Sequence, residues 1–211
     1  QLPKGKTIAL YCRSGRRSAH AAGVLAAMGY TCVNLKEGIL AWQEQGRPVT
    51  TERYETDEFL TKSGKKVKFH ALVHASIRME YDGKEILIDP VTKLGDKVID
   101  YSAMPKADYL IVTHEHSDHM DEKAIDILTG EQTRLITNQA CADRLGKGEV
   151  MQNGDRLKLA DDFMVEAVAA YNTTEGHLQF HPKGRDNGFV LTLDGLRIYI
   201  AGDTEDIPEM A

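Results

Sequence analysis

The stretch that most limits the fold is YLIVTHEHSDHMD, residues 109–121. Tyr109 to Thr113 read as a strand, and it runs directly into three of the chain's eight histidines within six residues, with Glu115 and Asp118 among them. Any fold built on this stretch must end a strand where imidazoles and carboxylates gather. Alternate side chains of an extended strand end face the same way. His114 and His116 are therefore expected to face one cation. Asp118 and His119, where the chain turns, face a second. Imidazole with carboxylate suits zinc, manganese or iron. Two such ions roughly 3.5–4 Å apart hold a bridging hydroxide as a nucleophile at neutral pH. Further ligands must come from distant strand ends. AAYNTTEGHLQFHPKGRDNG offers His177 and His181, and Asp203 follows the apolar run LRIYIAG.

A second constellation lies near the other end, in YCRSGRRSAH. Cys12 leaves the strand TIALY, and a helix begins within a few residues. A helix N-terminus presents free N–H groups and partial positive charge, which lower a thiol pKa and attract anions. Arg13, Arg16 and Arg17 add charge, and Gly15 lets the backbone curl. A nucleophilic thiolate beside an anion is one reading of these residues. A strand-end cysteine next to a solvated basic loop is the other.

The first fifty residues follow strand–helix–strand–helix order, an α/β grammar. Ala21, Val24, Leu25 and Met28 give the first helix an apolar face, Gly29 caps it, and Gly46 and Pro48 close the second helix. Residues 51–66 are polar, mixed in charge, and expected to be a linker. From Val67 the grammar changes to hairpins. KFHALVHASIRMEYDGKEILIDPV reads as two strands around a turn at Asp82-Gly83, and a later hairpin turns at Asp194-Gly195. Asp121 is the expected N-cap of the helix EKAIDIL. The net charge of −6 and the lack of a basic block argue against nucleic acid or an anionic membrane as partner. Three cysteines without paired spacing, and a first stretch QLPKGK without signal-peptide character, set the expectation of a reduced, cytoplasmic chain.

Residues 1–50 resemble the second half of a rhodanese domain. Cys12 to Ser18 are similar to its active-site loop, C-x-x-G-x-R followed by Ser or Thr. Gly38, Trp42 and Gly46 stand where that family's later segment has them. The resemblance implies that Cys12 carries a persulfide in an anion-binding loop of Arg13, Ser14, Gly15, Arg16, Arg17 and Ser18. It also implies that Cys12 and Arg17 are the catalytic residues of this loop. Related phosphatases place Arg one residue later, at the position held here by Ser18.

Residues 67–211 resemble the metallo-β-lactamase fold, whose H-x-H-x-D-H motif is matched by His114, His116, Asp118 and His119. Its strand-end Asp is matched by Asp89 in ILIDPV, with a supporting role, and its later Asp by Asp203 in GDT. Within the fold, the chain looks most like the branch of simple metal-dependent hydrolases that contains the ascorbate-phosphate lactonase. That likeness selects His181 over His177. It implies His114, His116 and His181 on one metal, Asp118 and His119 on another, and Asp203 bridging. Asp118 also counts among the catalytic residues. His74, in HASI, matches a supporting position near the site.

The expected architecture is therefore a partial rhodanese α/β module followed by the first half of an αββα sandwich. The expected activity is metal-dependent hydrolysis of an ester-like or phosphoester small molecule, with two zinc ions and with manganese or iron as alternatives. Sulfur transfer at Cys12 accompanies it. A homo-oligomer, or a second chain or segment, is the expected partner that completes the metal site. A persulfide dioxygenase, with one iron on two His and an Asp and with Asp118 off the metal, is the rival enzyme. A binding protein without turnover is the third reading.

Overall fold

The computed structural model describes residues 5, 7–45 and 54–210. The chain divides into two units, Gln1–Arg53 and Tyr54–Ala211.

In the first unit, strand β1 (Ile8–Leu10) pairs in parallel with β2 (Cys32–Asn34). Helix α1 (Arg16–Ala27) connects them, and α2 (Gly38–Glu44) follows. The chain turns into α1 through Gly15, at φ 81°. A Cβ there would lie 1.8 Å from the Lys36 carbonyl oxygen, so only glycine fits. The expected apolar face of α1 is covered only in part: Ala21 and Leu25 are half-buried, Val24 and Met28 are exposed, and Ser18 is the helix's buried residue. Two three-residue strands offer too little surface to bury it. Gly46 and Pro48, expected to close α2, lie outside the described residues.

The second unit stacks two sheets. The larger has the order β11-β10-β9-β6-β5-β4-β3. Its strands are β3 (Glu55–Leu60), β4 (Lys66–Val73), β5 (Ser76–Tyr81), β6 (Lys84–Ile88), β9 (Tyr109–Val112), β10 (Arg134–Thr137) and β11 (Glu149–Val150). A small hairpin, β7 (Lys93–Leu94) and β8 (Lys97–Val98), interrupts the series. The smaller sheet is antiparallel, β12 (Arg156–Ala160), β13 (Phe163–Ala170), β14 (Asp186–Leu193) and β15 (Leu196–Ile200).

One core lies between the sheets. Met79, Ile86, Ile88 and Ile111 meet Phe163, Val165, Phe189 and Leu191 there. A second core lies behind the larger sheet, where Leu87, Leu110 and Val112 pack on helices α3 (Glu122–Leu128) and α4 (Gln139–Leu145) through Ile125, Leu128 and Cys141. β6 and β9 are thus buried on both faces, which explains their unbroken apolar runs. Each fully buried large side chain contributes about 1.5–3 kcal/mol, so the rigid part of this unit is the pair β6–β9. The two strands are parallel, and their ends carry Asp89 and Thr113-His114. Asp121 caps α3 as expected, accepting hydrogen bonds from the Lys123 and Ala124 amides.

Two expectations change. Residues 55–60, inside the expected linker, form the edge strand β3, antiparallel to β4. All six are exposed, so hydrogen bonding to β4, rather than burial, holds them. The stretch read as two strands around Asp82-Gly83 contains three, because the chain also turns at His74-Ala75. Of the expected αββα layers, two sheets and one helical layer are present among the described residues. No described helix is long and apolar enough to cross a membrane.

Candidate metal centre

The histidine cluster follows β9 as a tight turn. The His119 and Met120 amides both donate to the His116 carbonyl, at 3.0 and 2.8 Å, which folds the loop back on itself. The smaller sheet is tied on at the same level. The Asn187 amide, at the start of β14, donates to the Thr113 carbonyl. Gly202, after β15, packs so closely on Thr113 and the Asn187 carbonyl that a Cβ would sit 3.2 and 3.0 Å from them. Asp203 is thereby set among the histidines.

One donor atom each from His114, His116, His181 and Asp203 lies within 4.8 Å of the others, and His74, His119 and Asp203 form a second such group. Asp203 belongs to both. Its Oδ1 is 3.0 Å from His119 Nε2, and its Oδ2 is 3.4 Å from His181 Nε2 and 4.0 Å from His114 Nε2.

The far sides of the His114, His119 and His181 rings are held. His119 Nδ1 donates to Asp89 Oδ2 at 2.8 Å. Asp89 also accepts from the Thr113 amide and hydroxyl, at 2.8 and 2.7 Å. Since that hydroxyl donates to Asp89, it accepts from His114 Nδ1 at 3.0 Å. His181 Nδ1 lies 3.0 Å from Asp186 Oδ2, and Asp186 is held in turn by the Arg185 guanidinium. Each ring therefore directs Nε2 inward, the outer-sphere arrangement that orients imidazole ligands on a metal. His114 Nε2 is buried without a hydrogen-bond partner, and His119 Nε2 meets only the Asp203 carboxylate. Buried nitrogens left unpaired are costly, and a cation satisfies them. The donor set fits a divalent metal of the zinc, manganese or iron class.

Electrostatics agree. Burial, and then the neighbouring His119, push His114 down to about 3, so it stays neutral, the ligating form. Burial opposes charge on His119, but Asp203 and Asp89 outweigh it and raise the ring to about 10. A site that attracts a proton this strongly also attracts a cation, which displaces the proton. His119, followed by the other cluster histidines, holds Asp203 well below the usual carboxylate range despite partial burial. Burial pushes Asp89 up, and the hydrogen bonds from His119 and Thr113 pull it back.

The expected residues are placed as follows. His114, His116, His181 and Asp203 come together, with His119 beside them. Asp89 supports His119. Asp118 is in neither group of convergent donors; its Oδ2 faces His74 Nε2 at 3.4 Å. His74, expected in support, is itself among the convergent donors. His177 is largely exposed, 3.7 Å from Glu205, and takes no part. Sequence reasoning missed Asp186 and Thr113, for which no motif signalled a role. The adjacency of Asp186 to Arg185 was the available hint.

In the first unit, Cys12 sits where β1 gives way to α1. The Ser18 hydroxyl donates to its sulfur at 3.4 Å. That hydroxyl, with the amides of Ser18, Ser14 and Arg17, lowers the thiol to about 6. The anion loop expected from residues 12–18 is thus a ring of donors around sulfur. Arg13, Arg16 and Arg17 are exposed.

Comparison with known proteins places the two units separately. The "Beta-lactamase superfamily domain" family matches residues 68–210, and the "Rhodanese-like domain" family matches residues 1–45. Among curated proteins, the chain is 32% identical over 139 residues to a "UPF0173 metal-dependent hydrolase" of Caldivirga maquilingensis, covering 63% of this chain and 58% of that protein. It is 30% identical over 151 residues to one of Thermococcus kodakarensis, covering 69% and 64%. The chain therefore spans about six tenths of the length of these relatives. Among solved structures, it is 48% identical, with a TM-score of 0.71, to a Parabacteroides distasonis protein described as a metal-dependent hydrolase, covering 74% of this chain and 70% of that one.

Proposed function

Because this chain belongs to the beta-lactamase superfamily domain family, we propose that residues 54–210 carry the metal site of a metal-dependent hydrolase acting on an ester-like or phosphoester small molecule. The observation that carries the reading is the set of imidazole nitrogens gathered around the shared carboxylate of Asp203, with His114 Nε2 buried and unpaired among them. His114, His116, His181 and Asp203 would hold one ion, and Asp118, His119 and Asp203 another. Zinc is the first choice. When bound, such ions supply Lewis acidity, stabilising charge that develops on a substrate oxygen and making water a nucleophile near neutral pH.

The chain's own residues do the positioning. Asp89 keeps the proton of His119 on Nδ1, and Asp186 does the same for His181. Thr113 relays the Asp89 carboxylate to His114. His114, His119 and His181 are thereby each fixed in one orientation before substrate arrives. The substrate class follows the likeness to the ascorbate-phosphate lactonase branch, and a sugar-derived lactone bearing phosphate is the first compound to try.

Elemental analysis of the purified chain, with hydrolysis of a panel of lactones, esters and phosphoesters before and after chelation, tests the reading. The expected result is bound zinc or manganese, and turnover that chelation abolishes and metal restores. A chain that takes up no divalent metal refutes it.

Sulfur transfer is a second activity, supported by the donors around Cys12. The thiolate attacks the outer sulfur of thiosulfate, the S–S bond breaks, and sulfite leaves. Cyanide then takes the sulfur from the Cys12 persulfide as thiocyanate and returns the thiolate. Thiocyanate formation, lost in Cys12→Ser, is the expected outcome.

A further inference from the structure

We propose that His74 is itself a metal ligand, its Nε2 joining His119 Nε2 and Asp203 on the second cation. This rests on the metal-site reading above and extends it to a residue that the H-x-H-x-D-H motif does not contain. Three observations carry it.

The first is placement. Donor atoms of His74, His119 and Asp203 lie within 4.8 Å of one another. The His74 and His119 rings stand edge to face, centroids 5.0 Å apart. Asp118 Oδ2, 3.4 Å from His74 Nε2, adjoins the same nitrogen as a further oxygen donor.

The second is backbone conformation. Four non-glycine residues have positive φ among the described residues: His74, Asp82, Asp89 and Asp194. Asp82 and Asp194 open Asp-Gly hairpin turns, where positive φ is what the turn requires. Asp89 lies in no hairpin turn, and His74 opens one at a position that glycine, asparagine or aspartate ordinarily holds. Asp89, at φ 43°, presents its carboxylate to His119; His74, at φ 51°, stands in the two-residue turn between β4 and β5. Glycine would fill that turn at less strain. Strain at such a position points to a side chain that has a use.

The third is bracing. Ser76 Oγ, two residues past His74, donates to the Asp89 carbonyl at 2.5 Å and accepts from the Val91 amide at 3.2 Å. The His74 turn and the Asp89 loop are thus locked to one another, so the groups they present keep a fixed separation.

The test is metal stoichiometry on the full chain, loaded with Zn²⁺ or Co²⁺ and desalted. His74→Gly removes the ring and accepts the turn's φ without strain, so the fold is retained; the melting temperature of the metal-free protein checks this. His74→Gly is expected to hold one equivalent fewer than the parent chain. His74→Cys loaded with Co²⁺ is expected to gain a thiolate-to-cobalt charge-transfer band that the parent lacks. Equal metal content in the parent and His74→Gly, or no new band in His74→Cys, overturns the inference and leaves the hydrolase reading intact. A parent chain that binds no metal overturns both.

Discussion

Cys12 and His114 both stand just beyond the end of a strand with a parallel partner, and what lies beneath them differs. Under His114 are β6 and β9, buried on both faces between two cores. Under Cys12 are two three-residue strands, and Tyr11, Val24, Met28, Val33 and Leu40 around them are exposed. The kind of site differs correspondingly. The donors on the Cys12 sulfur come from Ser14, Arg17 and Ser18, all within one turn of chain. The candidate metal cluster draws on His74, His114, His116, His119, His181 and Asp203, brought together by two sheets. A local loop of amides can be specified by its own residues, whereas a convergent cluster needs a rigid body behind it.

Core substitutions probe this contrast most strongly. Phe189→Ala, at a fully buried position between the sheets, is expected to destabilise the second unit by about 3–5 kcal/mol. Val24→Ala on the exposed face of α1 should change stability by no more than about 0.5 kcal/mol. Urea denaturation of the two variants measures both, and comparable losses would show that the first unit has a core after all.

Asp203→Asn removes the carboxylate shared by both donor groups. Metal affinity is expected to fall by at least about 100-fold, beyond the range seen for supporting residues, while thiocyanate formation at Cys12 is unchanged. Dialysis against a metal buffer followed by elemental analysis reads the first, and a cyanolysis assay the second.

Asp89→Asn is gentler. Asparagine tolerates the positive φ of this position, so the backbone is kept, but it cannot hold the His119 proton as a carboxylate does. Affinity should drop by roughly 10–100-fold, measured by titration with a chromophoric chelator.

The smallest effect concerns the thiol. Below its pKa Cys12 is protonated and unreactive, so alkylation should rise as pH increases through about 6. Ser18→Ala deletes the strongest donor and should move that midpoint upward by about one unit, with no change in metal content. Rates of iodoacetamide labelling between pH 5 and 9 follow it.

What the sequence revealed follows the same division. The apolar runs of β6 and β9, the Asp-Gly turns and the clustered histidines are strong local signals, and the structure has them where they were read. Asp203 was legible because it follows the apolar run LRIYIAG, which forms the half-buried strand β15. His181 and His177 were not separable by residue type; the surroundings decide, since Asp186 holds one and solvent the other. The turn at His74-Ala75 carries no Gly, Asn or Asp, so nothing marked it, and its use of a strained histidine is the same fact seen from the chemical side. Strand β3 was hidden because its charged residues gain register from β4 alone. The face of α1 had a helical period but little surface to meet, and on it only Ala21 and Leu25 are half-buried.

The two-sheet origin of the ligands has a thermodynamic consequence. His114, His116 and His119 extend from the larger sheet, and His181 and Asp203 border strands of the smaller. A chelated ion is therefore a cross-link between layers that only the native arrangement can complete. By mass action it adds RT ln(1 + [M]/Kd) to the unfolding free energy, about 2.7 kcal/mol at a hundredfold excess over Kd. For residues 54–210 the availability of free metal in the surroundings is thus as much a determinant of persistence as any apolar contact.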